Sequence, residues 1–188
     1  SLNILVAARD AKVKRLVYAG SSSAYGDSPT LPKSEDMPTK PQSPYALQKL
    51  VAEQYCQMFT QLYGLETVTI RFFNVFGPRQ DPSSPYSGVI SLFSTALLEG
   101  RVPTIYGDGG QTRDFTYVAN VVDGVLRACE APGVAGEVIN VATAGRISLN
   151  HLLQTINQIV GTNITPNYAE TRAGDVRDSQ ADISKAAD

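Results

Sequence analysis

The run Glu66-Thr67-Val68-Thr69-Ile70-Arg71-Phe72 constrains this chain more than any other stretch. A dense β-branched segment of this kind is the pattern of a strand buried on both faces. Such a strand needs cover on each side, and the flanking sequence supplies helices. Residues 44–63 carry apolar side chains at helical spacing, with Ser43 placed as a cap, Pro44 as a favoured first residue and Gly64 as the stop. Leu47, Leu50, Val51, Met58, Phe59 and Leu62 are its expected inward face. Residues 2–13 read as an uncapped helix with Leu2, Leu5, Val6 and Val13 inward, and 15–20 as a short strand. Residues 21–43 read as a long Ser- and Pro-rich loop. Further helices are expected near 87–99, over 117–130, and from Ser148 to Gly161; strands at 104–106 and 137–142; a turn at 107–110. Strands alternating with helices imply an α/β fold on a parallel sheet.

Composition narrows the function classes. The 188 residues suffice for one domain or a large piece of a two-lobed one, and 43% hydrophobic against 18% charged residues excludes a disordered chain. Sixteen basic against eighteen acidic residues give a net charge of −2, which argues against nucleic-acid binding by phosphate neutralisation. Cys56 and Cys129 are too few for a disulfide framework and suit a reducing compartment as small core or interface residues. No apolar run reaches the roughly 18 residues of a membrane span, and the first residues lack a basic signal-peptide start; a cytoplasmic protein is expected. The single histidine, His151, falls near a helix cap and reads as solvated, so no metal site is expected. Tyr86, Tyr117 and Tyr168 read as packing residues.

The chemistry concentrates in three polar segments. Tyr45 and Lys49 stand at i and i+4 in the first turns of a helix and share a face. A tyrosine is a poor base near neutrality, with a pKa of about 10, but an adjacent cation favours its phenolate, so the pair is a candidate general base with Lys49 supplying the field. Alone, the same spacing is that of an ordinary solvated helix face. Ser21-Ser22-Ser23 directly follows the strand at 15–20, at the end of a parallel sheet where ligands bind, although such a tract also serves as a turn or helix cap. Asn74-Val75-Phe76-Gly77-Pro78 closes the next strand and by itself reads as a strand-exit turn. Three polar segments at one sheet edge make a site of what each alone leaves open.

With SSSAYG (21–26), SPYALQK (43–49), RFFNVFGPRQ (71–80), GDGGQTRDFTYV (107–118) and RAGDVRDSQADISKAAD (172–188) in view, the whole chain resembles the extended short-chain dehydrogenase/reductases of the NAD-dependent epimerase/dehydratase family, and among them the UDP-glucose and UDP-N-acetylglucosamine 4-epimerases. The resemblance implies a partial Rossmann-like parallel sheet with a smaller C-terminal substrate-binding lobe. Residues 1–80 would be the second half of the NAD-binding domain with the Tyr-x-x-x-Lys helix. Residues 81–188 would mainly bind the UDP-sugar, with 117–142 returning to the sheet. It implies NAD as cofactor, Tyr45 as catalytic base, Lys49 on the nicotinamide ribose, Phe73 lining the nicotinamide pocket, and Ser21, with Ser22 beside it, at the sugar O4. It further implies Asn74 at the diphosphate, Arg113 and Arg172 as phosphate clamps, Asp175 at the uridine ribose and Tyr106 in the nucleotide pocket. Ser179 and Gly88 would border the sugar 2-position, where small residues admit an N-acetyl group. The reaction implied is C4 epimerisation through a 4-keto sugar. Related dehydratases carry an acid where this chain has Ser21-Ser22-Ser23, which argues against dehydration. The helix of Tyr45 resembles one through which these enzymes form homodimers.

The chain departs from the family in lacking a G-x-x-G-x-x-G turn after a strand. The expectation is that these residues alone bind NAD weakly and turn over little. The alternatives are a nucleotide-sugar-binding fragment without turnover, or another NAD-dependent nucleotide-sugar epimerase or dehydratase.

Overall fold

A computed structural model describes residues 1–84, 87–172 and 174–187; Tyr86 lies outside them. In chain order the elements are α1 (Leu2–Asp10), β1 (Arg15–Ser21), a 3-10 turn (Ser22–Tyr25), α2 (Pro44–Tyr63), β2 (Glu66–Phe72), β3 (Val75–Phe76), α3 (Val89–Leu98), β4 (Thr104–Tyr106), β5 (Thr112–Arg113), β6 (Thr116–Tyr117), α4 (Val118–Glu130), β7 (Val138–Val141), β8 (Ile147–Ser148), α5 (Leu149–Val160), β9 (Asn167–Ala169) and α6 (Ser184–Ala187). The principal sheet has the order β1-β2-β7, all parallel. The pairs β3–β6 and β4–β9 are also parallel, and β5–β8 is antiparallel.

Central strand β2 is buried along nearly its whole length, and its two faces differ in chemistry. Val68 and Ile70 pack with Ala128 of α4, and with the partly buried Val125 and Ile139, into an apolar layer. Thr67, Thr69 and Arg71 alternate with them, so they fall on the opposite face. There Thr67 Oγ1 donates to the Cys56 carbonyl of α2 at 2.8 Å. Arg71 makes two hydrogen bonds to Glu53, at 2.9 and 2.6 Å, with both side chains 4% exposed. Leu5 and Ala8 of α1 join Cys56, Phe59 and Leu65 in a further cluster. A separate core unites α3, β4 and α5 through Phe93, Leu97, Ile105, Leu149, Leu152, Leu153 and Ile156.

The caps at α2 and α5 form as the sequence implies. Ser43 Oγ accepts from Ala46 N and Ser148 Oγ from His151 N, each at 3.2 Å, and Gly64 and Gly161 end their helices in left-handed conformation. The inward face of α2 differs from expectation. Leu50 and Phe59 are buried, but Leu47, Val51, Met58 and Leu62 are exposed, and the buried stripe is completed by Ala46, Ala52, Glu53 and Cys56. Small residues suit the side packed on the strands, and the larger apolar side chains form a second stripe outside. The helix expected over 2–13 ends at Asp10, which leaves Val13 outside it and exposed. Within α1, Leu5 and Ala8 are buried while Leu2 is exposed, so the inward face rests on fewer residues than the spacing suggests. Cys129 is exposed rather than packed. Tyr117 is exposed with its ring against Phe76, and the exposed Tyr168 hydroxyl donates to Asn150. Among the described residues no helix is long and apolar enough to cross a membrane.

Removing one member of a buried ion pair leaves the other charge without compensation. Glu53→Ala is therefore expected to lower stability by about 3–5 kcal/mol in denaturant unfolding, with Glu53→Leu/Arg71→Met recovering most of the loss. A single-variant loss well under about 1 kcal/mol would show that the pair does not hold α2 to β2.

Candidate functional site

Register brings the site together. Ser21 ends β1 opposite Phe72 of β2, so Ser21 and the residues after Phe72 emerge at the same C-terminal end of the sheet. Helix α2 starts beside that edge and carries Tyr45 and Lys49 in its first turns. The Lys49 ammonium donates to the Ala19 carbonyl of β1 at 2.8 Å and lies 5.8 Å from the centre of the Tyr45 ring. It is a fixed cation beside the phenol. Ser21 Oγ accepts from Ser23 N at 3.2 Å and lies 2.8 Å from Ser23 Oγ. The serine tract is thus a cap for the 3-10 turn and, at once, a row of hydroxyls facing a cavity.

Two adjoining cavities open here. One of about 470 Å³ is lined by Ser21, Ser22, Tyr45, Lys49, Phe73 and Ser179, together with Lys33 and Gln80. The other, about 770 Å³, is lined by Tyr106, Gln111, Arg172, Phe93 and Leu149. Tyr45, Asn74, Gly88, Arg113 and Asp175 border both, so the cavities form one elongated cleft. Every candidate site residue borders this cleft. The Arg113 guanidinium bonds Asp175 at 2.7 Å, and the Arg172 guanidinium lies 3.7 Å from the centre of the Tyr106 ring. Lys33, Lys49, Arg113 and Arg172 against Asp175 and Asp178 leave the cleft's bordering charge positive, which suits a phosphorylated ligand.

Asn74 has φ +30°, a left-handed conformation that asparagine tolerates. Its Nδ2 donates to the Asp114 carbonyl at 3.0 Å and to Ser179 Oγ at 3.4 Å, so that amide nitrogen is engaged with protein. Sequence reasoning missed Asp114, which is fully buried. Its Oδ1 accepts from Thr143 N at 3.0 Å and Thr143 Oγ1 at 2.7 Å, and its Oδ2 from Ala181 N at 3.1 Å. One carboxylate thereby ties the loop after β7 and the segment carrying Ser179 to the link between β5 and β6. The available signal was a lone acid between Arg113 and Phe115 in a stretch too short to read as a strand. Lys33 is buried; its ammonium donates to the Thr30 carbonyl at 2.8 Å and to that of Ser28, and burial lowers its pKa. Among the described residues no group of three or more His, Cys, Asp or Glu side chains could hold a metal.

Tyr45, Lys49, Ser21 and Phe73 bordering one cavity at the C-terminal edge of parallel strands fit the nicotinamide end of a dinucleotide. The pyrophosphate end calls for a Gly-rich turn between a strand and a helix, and none occurs among the described residues. The fit is to half of the cofactor.

A parallel sheet flanked by helices, with its polar cleft beyond the C-terminal strand ends, is the architecture of dinucleotide-binding α/β proteins. The model of the NAD dependent epimerase/dehydratase family matches residues 1–142, and the chain belongs to that family. It is 42% identical over 187 residues to a UDP-glucose 4-epimerase of Mycolicibacterium smegmatis, covering 99% of this chain and 59% of that protein. Among solved structures it is similar to a UDP-N-acetylglucosamine 4-epimerase from Methanobrevibacter ruminantium in complex with UDP-N-acetylmuramic acid, with TM-score 0.95, 40% identity, and 99% of this chain on 59% of that one. It is likewise similar to a UDP-glucuronic acid 4-epimerase from Bacillus cereus in complex with UDP-glucuronic acid and NAD, with TM-score 0.91, 33% identity, and 98% of this chain on 57% of that one. The chain thus spans somewhat under three-fifths of these relatives.

Asp114 gives the cleft a checkable dependence. Asp114→Asn exchanges an acceptor of three donors for an amide, and hydrogen bonds to a charged group contribute about 1.5–3 kcal/mol. Thermal and denaturant unfolding should show a loss of about that size. An unchanged midpoint would mean that the loop after β7 and residue 181 are held by other contacts.

Proposed function

We propose that this chain carries the substrate-binding and proton-transfer half of an NAD-dependent UDP-hexose 4-epimerase. The observation that carries the reading is that Tyr45, Lys49 and Ser21 border the same cleft as Arg113, Arg172 and Asp175. A base where the two cavities meet, with Ser21 and Lys49 on one side and Tyr106 and Arg172 on the other, suits a sugar held at the junction with its nucleoside diphosphate along the second cavity. The strong sequence likeness to UDP-sugar epimerases supports it. Residues 1–80 then serve as the second half of the cofactor domain and 81–188 mainly as the substrate lobe, with 117–142 returning to the sheet.

Each role follows from chemistry. Tyr45 takes the proton of the sugar 4-hydroxyl, relayed by the hydroxyl of Ser21 with Ser22 beside it, in the positive field of Lys49. Lys49 also holds the nicotinamide ribose, and Phe73 lines the nicotinamide pocket. NAD, when bound, would supply the reversible hydride acceptor for C4, by which the sugar would pass through a 4-ketone. Tyr45 gives the proton back at the end of the cycle. Arg113 and Arg172 hold the diphosphate, which Asn74 joins by releasing its long 3.4 Å bond to Ser179, while Tyr106 and Asp175 hold the nucleoside. Gly88 and Ser179 leave room at the sugar 2-position, so UDP-GlcNAc and UDP-GalNAc are accepted along with, or ahead of, UDP-Glc and UDP-Gal.

The exposed apolar stripe Leu47, Val51, Met58 and Leu62 of α2 supports a homodimer through this helix. Sedimentation should give a dimer that Leu62→Asp converts to monomer without loss of helicity; a monomeric parent chain would contradict this.

Epimerisation is tested with a Gly-rich dinucleotide-binding region supplied alongside the chain. Tyr45→Phe should lower kcat by about 10²–10⁴-fold while leaving the affinity for UDP within a few-fold. The same assay compares kcat/KM on the acetylated and plain sugar pairs, and failure on both acetylated sugars would remove the 2-position reading. Binding of UDP-sugar without turnover under these conditions would make the chain a binder.

A further inference from the structure

The cleft depends on residues 174–182, which bring Asp175 and Ser179 to its rim. This strap runs between two parts of the fold. On one side Lys33 N donates to the Gln180 carbonyl at 2.8 Å, and Asp182 N to the Lys33 carbonyl at 2.8 Å. On the other, Thr112 N donates to the Arg177 carbonyl and Ser179 N to the Thr112 carbonyl, both at 3.1 Å.

Arg177 lies midway between Asp175 and Ser179 and faces both parts at once. Its backbone N–H donates to Asp27 Oδ1, in the loop after β1, at 3.0 Å. Its guanidinium bonds both oxygens of Asp108, at 2.8 and 3.1 Å, and its carbonyl accepts from Arg113 Nη1 at 3.1 Å. The seat that receives it is itself anchored. Asn150, in the first turn of α5, accepts from the Tyr168 hydroxyl and donates to the Asp108 carbonyl at 3.0 Å, and Asn150 N donates to the Gly109 carbonyl at 3.0 Å. Gly109 has φ +72°, and a Cβ there would lie 2.0 Å from Asn150 Oδ1; a Cβ on Gly110 would lie 3.0 Å from Arg177 Nη2. The Gly107-Asp108-Gly109-Gly110 segment is therefore more than a chain reversal. Its glycines let Asn150 and the guanidinium approach the backbone, and Asp108 is presented to Arg177 from a fixed base.

We propose that Arg177 is the positioning residue of the nucleotide site, latching the strap to Asp108 so that Asp175 stays at the rim when a diphosphate draws Arg113 away from it. The inference rests on the nucleotide-sugar reading of the cleft. Its physical need is plain: without ligand, Arg113 and Asp175 hold each other at 2.7 Å, and a phosphate competes for that guanidinium. The Arg113 bond to the Arg177 carbonyl is lost in this competition as well, but the two-point contact of the Arg177 guanidinium with Asp108 is outside it. Arg177 also holds the Asp108 carboxyl down at about 2, so the latch is ionised throughout the physiological pH range.

The test is calorimetric titration of UDP into the chain and into Asp108→Asn, Arg177→Met, Arg177→Lys and the Asp108→Asn/Arg177→Met double variant. Exposed ion pairs with good geometry have small effects, so each single charge removal should raise the Kd for UDP by about three- to five-fold. The double variant should be no worse than either single one, and Arg177→Lys should fall between, because an ammonium keeps the charge but not the two-point contact. Hydrogen exchange should quicken over residues 174–182 in Asp108→Asn and stay unchanged over 66–72, which keeps the test readable if Arg177→Met folds poorly. Parent-like Kd values in the variants, or additive losses in the double variant, overturn the latch alone. A parent chain that binds no UDP overturns the nucleotide-sugar reading and the latch with it.

Discussion

The contact between Glu53 and Arg71 inside the α2–β2 interface governs everything above it. Tyr45, Lys49 and Glu53 follow one another at intervals of four along α2 and so lie along one side of the helix. Lys49 grips a carbonyl of β1, and one turn further on Glu53 grips the guanidinium of β2. These two ties fix the rotation and the height of the helix against the sheet. Any shift of register leaves a buried charge unpaired, and that penalty is much larger than the net stability such a pair adds. Where Tyr45 sits relative to Ser21 and Phe73 is a consequence.

A second constraint acts on the opposite wall of the cleft. Asp114 and the strap at 174–182 join the end of the principal sheet to β5 and to the Gly107–Gly110 turn, which Asn150 ties to α5. They do so mainly through polar groups, with Ala181 also packed against Tyr25 and Phe73. The apolar clusters stabilise each part by burial, and the polar ties set the geometry between them. A cleft at such a junction has walls from both parts, which explains why residues from 21 to 179 meet around one space.

The strands and helices were legible because their signals are local and repeated: the β-branched run of β2, the Ser-Pro start and Gly stop of α2, the Ser148 cap and Gly161 stop of α5. Apart from β4 at Thr104–Tyr106, the two- and three-residue strands were not, since β3, β5, β6, β8 and β9 are defined by partners distant in sequence. The outward stripe of α2 misled because hydrophobic spacing ranks Leu47, Met58 and Leu62 above Ala46, Ala52 and Cys56, while close packing on strands favours the small residues. Ser21, Tyr45, Lys49 and Asn74 stood out as polar positions at sheet ends, whereas Phe73, Gly88, Tyr106, Arg113, Arg172, Asp175 and Ser179 were named only by the family resemblance. What organises them, Glu53, Asp114, Asp108 and Arg177, was not, because a charged side chain in sequence looks the same whether it faces water or a buried partner.

The most direct measurement of the account is a crystal structure of the chain soaked with UDP-GlcNAc. The account predicts the diphosphate between Arg113 and Arg172, the base beside Tyr106, and the sugar 4-hydroxyl within hydrogen-bond reach of Tyr45 and Ser21. A nucleotide seated elsewhere, or a sugar turned away from Tyr45, would contradict it.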